Sequence, residues 1–258
     1  MAKNMEIRVA FLPELAGDVS EAVCIVIDVL RATTVIATLF DRNCPAVYVA
    51  PRHDLAEAFA RKQGYVLCGE TKGLKAPGFD FGNSPCEFAK QDFAGRRVVL
   101  STTNGTKATA MVAKARAVFL GAALNRMTVA LEAWRVATEL ESDIVIVCSG
   151  TNGEYTLEDA MVAGGYVEAL VAQGSQWNIP LAADSAIAAR RLWQNETNLL
   201  RGMMEGKHAQ YLGDVGFGED IGYCCAVDVN LSAPRLCSEQ EIDSIAYPVV
   251  LVVNPASL

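Results

Sequence analysis

The sequence alternates short β-branched runs with Ala-rich amphipathic stretches, and this alternation restricts the chain to a small set of folds. The apolar runs predict buried strands at 23–29, 46–50, 97–101, 117–121, 143–149 and 247–253. The amphipathic stretches predict helices at 53–63, 105–115, 125–140 and 157–173. Strands buried on both faces and alternating with helices indicate a three-layer α/β/α architecture with a largely parallel or mixed sheet.

Residues 184–213 are predicted to be helical without intervening strands, so we expect a helical excursion there. No Pro/Ser-rich linker divides the chain, and 258 residues with 52% apolar content can bury a sizeable core. We therefore expect one domain over residues 1–258, as a single unit or as two intimately packed α/β halves. Gly164 and Gly165 interrupt a helical run and predict close approach of a neighbouring element, within or between chains.

The composition of the chain restricts the kinds of molecule that it can bind. A net charge of −8 argues against non-specific binding to nucleic acid or to anionic membranes. No apolar run approaches the roughly 20 residues of a membrane helix, and the N-terminus lacks a signal-peptide core, so we expect a cytoplasmic protein. Eight cysteines without a C-x-x-C pair, beside only two histidines, predict reduced core cysteines and no structural zinc. The apolar fraction allows a homodimer interface without requiring one.

A carboxylate follows the first predicted strand, in the segment IVIDVLRATT. Ionised Asp28 at the end of a buried strand carries a large desolvation cost unless it is paired or bound to a cation. Pairing with Arg31 is the structural interpretation. The functional interpretation is a metal ligand or a nucleophile beside an anion-binding arginine, and we favour it because Thr33 and Thr34 add hydroxyls at the same helix start.

Two Thr-Asn-Gly corners follow apolar runs, and the first is STTNGTKA at 101–108. Its side-chain donors, its glycine and the following helix start suit a phosphate or a sulfonate. An ordinary turn with Thr106 as the helix cap is an equal alternative. The candidate anion-binding residues are Thr102, Thr103, Asn104, Gly105, Thr106 and Lys107.

The second corner, SGTNGEYTLEDA at 149–160, is followed by acids instead. Thr156 and Asp159 match a capping box, which also accommodates Glu158 as a first-turn acid. Glu154 is less well explained in that way. The functional interpretation is a set of carboxylates for a hard divalent cation such as Mg²⁺, which takes one or two carboxylates together with waters and phosphate oxygens.

A Gly-rich segment near residues 69–83 contains Glu70, Lys72, Lys75 and Asp80 and shows no obvious secondary structure. Loops of that kind often carry function, and Glu70 follows the apolar run YVLCG. In contrast, Ser84, Pro85 and Glu87 have the pattern of a helix start. His53 and His208 lack a partner in any nucleophile or metal motif, and we interpret both as surface or packing residues.

Several of these motifs occur together in an order that resembles one known family. The motifs are DVLRATT (28–34), GE (69–70), GFDFGNSP (78–85), STTNGT (101–106), SGTNG (149–153) and LEDAMVAGG (157–165). From about residue 5 to the C-terminus the chain resembles the 2-phosphosulfolactate phosphatase family, also called ComB-like. The resemblance implies a Mg²⁺-dependent phosphatase with an α/β/α fold unlike the common phosphatase folds. It also implies that (2R)-2-phospho-3-sulfolactate is hydrolysed to 3-sulfolactate and phosphate, in coenzyme M biosynthesis.

The resulting hypothesis is metal-assisted hydrolysis of a small phosphorylated, sulfonated 2-hydroxy acid. Asp28 and Arg31 are the candidate catalytic residues. The candidate metal ligands are Asp28, Glu158, Asp159, Glu70 and Glu154. Further candidates for phosphate binding, besides the first corner, are Thr33, Thr34 and Ser149. Hydrolysis of another small phosphomonoester and non-catalytic binding of a small anion remain alternatives, as does direct attack of Asp28 on phosphorus.

Overall fold

The computed structural model describes residues 5–174, 183–237 and 249–254. Its strands are β1 (Ile7–Ala10), β2 (Ala22–Ile27), β3 (Val47–Val49), β4 (Val66–Thr71), β5 (Leu74–Lys75), β6 (Val98–Ser101), β7 (Ala117–Gly121), β8 (Asp143–Cys148), β9 (Arg235–Cys237) and β10 (Val250–Val253). They form one sheet in the order β1-β8-β2-β7-β9-β10-β3-β6-β4-β5. The sheet is mixed and mostly parallel, since β5, β9 and β10 pair antiparallel with their neighbours.

Helices lie on both faces of this sheet, as the three-layer prediction requires. They are α1 (Ala32–Asp41), α2 (His53–Gln63), α3 (Pro85–Phe88), α4 (Gly105–Met111), α5 (Arg126–Glu139), α6 (Leu157–Gly174), α7 (Asp184–Asn195), α8 (Leu199–Met204), α9 (Lys207–Asp214) and α10 (Gly218–Cys224). The predicted helical excursion is confirmed, and it continues past residue 213 through α10. Within the described ranges, no helix has the length and apolarity to cross a membrane.

One shared core explains how distant corners of the chain come together. A single buried cluster contains Cys24 and Val26 of β2, Leu39 of α1, and Val98 and Leu100 of β6. The helix α4, which follows β6, packs against both β2 and α1. The residues after β2 and the residues after β6 therefore lie side by side, although the two strands are well separated in the sheet order.

The strands that the sequence predicted correspond to β2, β3, β6, β7, β8 and β10, with residues 247 and 248 of the last prediction outside the described part of the chain. Four further strands were not among these predictions. Strands β1, β5 and β9 have two to four residues each, too few for a pattern of alternation. Strand β4 has six residues and begins within the apolar run YVLCG. The segment expected to be a loop from Glu70 onward instead begins as a hairpin. Lys72 and Gly73 form its turn with φ of 51° and 73°, values typical of a two-residue hairpin loop.

The glycine pair in α6 has the role that the sequence predicted, and the neighbouring element belongs to the same chain. A methyl group at Gly164 would collide with the carbonyl oxygen of Ala189 in α7, and one at Gly165 would lie 3.0 Å from Trp193. The two helices can therefore approach to backbone contact only because these positions lack side chains.

Gly164→Ala is expected to lower the free energy of unfolding by about 1–3 kcal/mol, because the added methyl forces α6 and α7 apart. Urea titration followed by circular dichroism measures this change. Gly213→Ala in α9 is the matched control, since a methyl there meets no atom within 4 Å. It should leave the stability unchanged or slightly higher. Equal stability of the two variants would contradict the packing described here.

Candidate active site

A cleft of about 1000 Å³ opens where the loops after β2, β6 and β8 meet the β4–β5 hairpin and α9. Eight of the residues predicted from the sequence line it: Asp28, Arg31, Glu70, Thr102, Thr103, Asn104, Glu154 and Glu158. Four of the five candidate acids and the first three residues of the candidate anion-binding loop thus share one cavity. This is the arrangement that a metal-dependent reaction on an anion requires.

The two Thr-Asn-Gly corners contact each other across the cleft. The backbone N–H of Asn152 donates to Asn104 Oδ1 at 3.1 Å. Their backbones differ, however, because Asn104 has φ −118° and Gly105 begins α4, whereas Asn152 and Gly153 have φ of 54° and 77° in a tight turn. The two similar tripeptides therefore adopt different structures, a helix start at the first corner and a hairpin-type turn at the second. The two corners contact each other through their asparagines.

Asp28 is buried at the end of β2, and its Oδ1 accepts the N–H of Ala32 at 3.1 Å. Gly105 makes room for the carboxylate, because a methyl there would lie 2.5 Å from Oδ2. Burial raises the pKa of the Asp28 carboxyl; the Ala32 N–H and His208 oppose this shift, and Glu70 adds to it. Ionised Asp28 therefore requires a positive charge in the cleft to stabilise it.

Glu158 is 1% exposed and lies at the start of α6. Its Oε1 is 3.0 Å from His208 Nδ1 in α9, which is also 3.3 Å from Thr151 Oγ1. Its Oε2 is buried without a hydrogen-bond partner, although the residue lines the cleft. A buried carboxylate oxygen without a partner, on a residue that lines a cavity, is a candidate contact for a water, a ligand or an ion.

His208 was interpreted from the sequence as a surface or packing residue, and the structure corrects that interpretation by placing it in the cleft beside Glu158. Burial is the largest single influence and lowers the pKa of the imidazole. Glu158, Asp28 and Asp159 together outweigh it, so the pKa is raised overall. His208 thus adds positive charge to a wall dominated by acids. The other histidine, His53, begins α2 as expected and bonds Ser101 and Thr71.

Asp159 does not line the cleft. Its carboxylate accepts hydrogen bonds from the Val29 N–H at 3.0 Å, and from Ser149 Oγ and the Gly150 N–H at 3.1 Å each. It therefore ties the loop after β2 to the loop after β8, rather than serving only the helix start where the capping-box pattern placed it. Burial, followed by the nearby Asp28 and Glu158, raises the pKa of Asp159 to about 8.

Arg31 is not paired with Asp28, which was the structural interpretation of that corner. Its Nη1 donates to Asp220 Oδ2 at 2.7 Å and its Nη2 donates to the Gly73 carbonyl at 2.6 Å. The guanidinium also lies over the Phe217 ring, 4.3 Å from its centroid. Arg31 is therefore a fixed cation in the cleft wall.

Glu70 lines the cleft, but both of its oxygens are bonded to backbone. Oε1 accepts the Thr103 N–H at 2.7 Å, and Oε2 accepts the Gly73 N–H at 2.8 Å. It therefore joins the β4–β5 hairpin to the first Thr-Asn-Gly corner. Glu154 is exposed at the rim of the cleft.

Seven of the predicted residues lie outside the cleft lining: Thr33, Thr34, Gly105, Thr106, Lys107, Ser149 and Asp159. The hydroxyls of Thr33 and Thr34 donate to the carbonyls of Asp28 and Val29, so they fix the start of α1. Lys107 is exposed on α4. These residues support the loops that line the cleft.

Thr106→Ala is expected to cost about 1 kcal/mol of stability and to change kcat/KM by less than about threefold. Its hydroxyl donates to the Thr102 carbonyl at 2.9 Å and accepts the Thr102 N–H at 3.3 Å, inside the loop rather than toward the cleft. Thermal unfolding and steady-state kinetics on one preparation measure both effects. A large loss of activity at unchanged stability would show instead that Thr106 contacts the substrate.

Four further polar residues are important to the site and were not singled out as site residues from the sequence: Lys72, Lys207, His208 and Asp220. Lys72 and Lys207 are exposed side chains that line the cleft from the β4–β5 turn and from the start of α9. Lys72 lies in the Gly-rich segment that the sequence marked as a functional loop. Asp220 belongs to the segment FGEDIGYCCAVDV (217–229), whose acids and cysteines indicate only that it could line a site. Lys207 and His208 belong to the helical excursion, where no local motif distinguishes them from surface polar residues.

Comparison with known proteins gives one consistent result. The family model described as 2-phosphosulpholactate phosphatase matches residues 10–238. A Pseudothermotoga lettingae protein named "Probable 2-phosphosulfolactate phosphatase" is 38% identical over 240 residues, 92% of this chain and 98% of its own length. A Carboxydothermus hydrogenoformans protein of the same name is 35% identical over 87% of this chain and 90% of its own length. One from Clostridium novyi is 32% identical over 80% and 85%.

Proposed function

The chain belongs to the 2-phosphosulpholactate phosphatase family, and from that premise we propose that its cleft hydrolyses 2-phospho-3-sulfolactate to 3-sulfolactate and phosphate. The supporting observation is that buried Asp28 and Glu158, the fixed cation Arg31 and the first Thr-Asn-Gly corner line one cavity. The relatives carry the name of this activity. Coenzyme M biosynthesis is the expected setting of the reaction.

We further propose that Mg²⁺ is the cofactor and that Asp28 and Glu158 hold it. The buried, unpartnered Glu158 Oε2 fits this role, as does the raised pKa of Asp28, which indicates a carboxylate in need of positive charge. No group of three His, Cys, Asp or Glu residues suited to a metal occurs in the described part of the chain. The proposal therefore assigns only two carboxylates to Mg²⁺, which can complete its shell with waters and phosphate oxygens.

The remaining candidate acids have different roles in this proposal. Glu70 and Asp159 use both carboxylate oxygens to hold backbone groups, so they orient the loops that carry Thr103 and Glu158. Glu154 is exposed at the rim, where water can solvate its carboxylate without a bound cation. We therefore assign Asp28 and Glu158 to the cation, and the other acids to the framework.

Arg31 and the first corner are proposed to bind the phosphoryl group. Thr102, Thr103 and Asn104 line the cleft, and Arg31 supplies a positive charge on a planar guanidinium that suits phosphate oxygens. When bound, Mg²⁺ neutralises phosphoryl charge and lowers the pKa of a coordinated water. The protein groups contribute by fixing the ester in line with the attacking oxygen.

Two routes of attack fit the cleft. In one, a water oxygen bonds to phosphorus, the ester P–O bond breaks, and the leaving 2-oxygen takes a proton to give 3-sulfolactate. In the other, an Asp28 oxygen bonds to phosphorus, the ester P–O bond breaks, and the leaving 2-oxygen takes a proton to give 3-sulfolactate. Water then attacks phosphorus, breaks the bond to the Asp28 oxygen and releases phosphate from the aspartyl-phosphate. Acid-quenched mass spectrometry during turnover distinguishes the routes, since only the second transiently phosphorylates the peptide that contains Asp28.

Phosphate release with and without Mg²⁺ tests the proposal, on a panel of 2-phospho-3-sulfolactate, 2-phospholactate and 2-phosphoglycerate. We expect turnover that requires Mg²⁺ and the highest kcat/KM on phosphosulfolactate. A higher kcat/KM on another ester would indicate a different phosphomonoesterase. Absence of metal-dependent turnover on all three would instead favour a non-catalytic anion-binding protein.

A further inference from the structure

Three residues that have no role in the proposed reaction contact the guanidinium of Arg31. Asp220 of α10 accepts from Nη1, the Gly73 carbonyl accepts from Nη2, and the Phe217 ring packs against the guanidinium face. Arg31 and Asp220 are each only 2% exposed. The guanidinium is therefore held in one orientation, although the residue also lines an open cleft.

Asp220 is itself fixed by a second partner. Ser84 Oγ donates to Asp220 Oδ1 at 2.6 Å, while Oδ2 accepts from Arg31. The same Ser84 hydroxyl accepts the Glu87 N–H at the start of α3. The Ser84 hydroxyl therefore links the start of α3 to a carboxylate from α10, and through it to Arg31 at the end of β2.

A buried ion pair of this kind is not a strong source of stability, since desolvation of both charges offsets most of their attraction. A role in orienting a functional group accounts for it better. The hydrogen bonds continue from Gly73 to Glu70 and on to Thr103, so Arg31 is connected to the first Thr-Asn-Gly corner through the β4–β5 hairpin.

We propose that Asp220 is the positioning residue for Arg31: through it, α10 fixes the guanidinium in the cleft wall so that the cation meets the phosphoryl group. This inference rests on the proposed function only in naming the anion that Arg31 meets. It gives the helical excursion a direct part in the site, and it assigns the fixed cation of the anion site to Arg31 rather than to Lys107, which lies outside the cleft lining.

A double-mutant cycle with Arg31→Met and Asp220→Asn tests the proposal. Asp220→Asn keeps the shape of the side chain and an acceptor for Ser84 but removes the charge that holds the guanidinium. We expect it to lower kcat/KM about 10²-fold and to weaken competitive inhibition by inorganic phosphate in parallel. In the Arg31→Met background the same substitution should change neither quantity, because its effect passes through Arg31.

Glu219→Gln is the matched control, since it removes the neighbouring negative charge of α10 at an exposed position outside the cleft lining. It should retain wild-type kcat/KM and phosphate inhibition. Phe217→Leu provides a second variant that leaves both charges in place, and it should produce a smaller loss in the same direction. Circular dichroism and thermal unfolding establish that each protein is folded.

Two results would overturn the assignment of Asp220. One is wild-type kinetics and phosphate affinity in folded Asp220→Asn. The other is an equal loss in the wild-type and Arg31→Met backgrounds, which is what a general structural effect would give. Calorimetry can also measure binding of inorganic phosphate to the wild type, the two single variants and the double variant. This repeats the cycle without turnover, so a failure of the proposed hydrolysis can be told apart from a failure of this inference.

Discussion

Asp28→Asn is expected to lower kcat/KM at least about 10³-fold while leaving the protein folded. The amide retains an acceptor for the Ala32 N–H, so the end of β2 keeps its local hydrogen bond. What is lost is a negative charge in the cleft that Glu158 also lines, and that charge is needed for cation binding or for attack on phosphorus. Burial raises the pKa of Asp28 because it disfavours the charged carboxylate. The neutral amide of the variant does not carry this desolvation cost, so the variant should remain folded.

Phosphate release measures the loss of activity, and far-UV circular dichroism on the same preparation measures whether the variant is folded. Asp80→Asn is the control, because Asp80 belongs to the same set of sequence motifs but accepts the Leu67 N–H outside the cleft lining. It should keep kcat/KM within about threefold of wild type. Full activity in folded Asp28→Asn would remove Asp28 from the mechanism.

Glu158→Gln is expected to raise the Mg²⁺ concentration needed for half-maximal rate at least about 10-fold, and to lower kcat/KM by about 10²-fold at limiting metal. The reason is that its Oε2 is buried without a hydrogen-bond partner, on a residue that lines the cleft. Thermal unfolding without metal should show a folded protein of somewhat lower stability, because the substitution also removes the charge that pairs with His208 Nδ1. Rates measured across a Mg²⁺ titration after chelation test this prediction.

Glu154→Gln is the comparison that makes the Glu158 prediction specific. Both acids follow the second Thr-Asn-Gly corner and both line the cleft, but Glu154 is exposed and Glu158 is buried. We expect the Glu154 variant to keep the wild-type Mg²⁺ dependence within about threefold. If both variants shifted the dependence equally, burial would not distinguish the metal ligand from the rim acid.

Much of this site was accessible from the sequence because its residues stand directly after apolar runs. Asp28 follows β2, Thr102 follows β6, and the acids that include Glu158 open α6 after β8. Ligands of open α/β sheets bind outside the carboxyl ends of the strands, so these positions are candidates for ligand binding before the strand order is known. Asp220 and His208 carried a weaker signal, since they lie on short helices whose placement depends on long-range packing. Asp220 contacts Arg31, 189 positions away, and His208 contacts Glu158, 50 positions away.

The twin Thr-Asn-Gly corners show where local sequence stops being informative. At Asn152 both the asparagine and the following glycine adopt positive φ, whereas Asn104 has φ −118° and the following glycine starts a helix. The difference comes from Gly105, which must lie against Asp28 and Ala32, a tertiary contact that the tripeptide cannot encode. The prediction that the corners divide anion and cation binding between them remains a proposal, now supported by their contact through Asn104.

The division of the cleft into a cation side and an anion side is the central claim, and a crystal soaked with Mn²⁺ and inorganic phosphate tests it most directly. Manganese replaces magnesium at oxygen sites and is located by its anomalous scattering. The account predicts one metal peak in contact with Asp28 and Glu158, with the phosphate bound between that metal, Arg31 and the Thr102–Asn104 loop. A metal held by Asp159 or Glu70, or a phosphate outside the cleft, would contradict it.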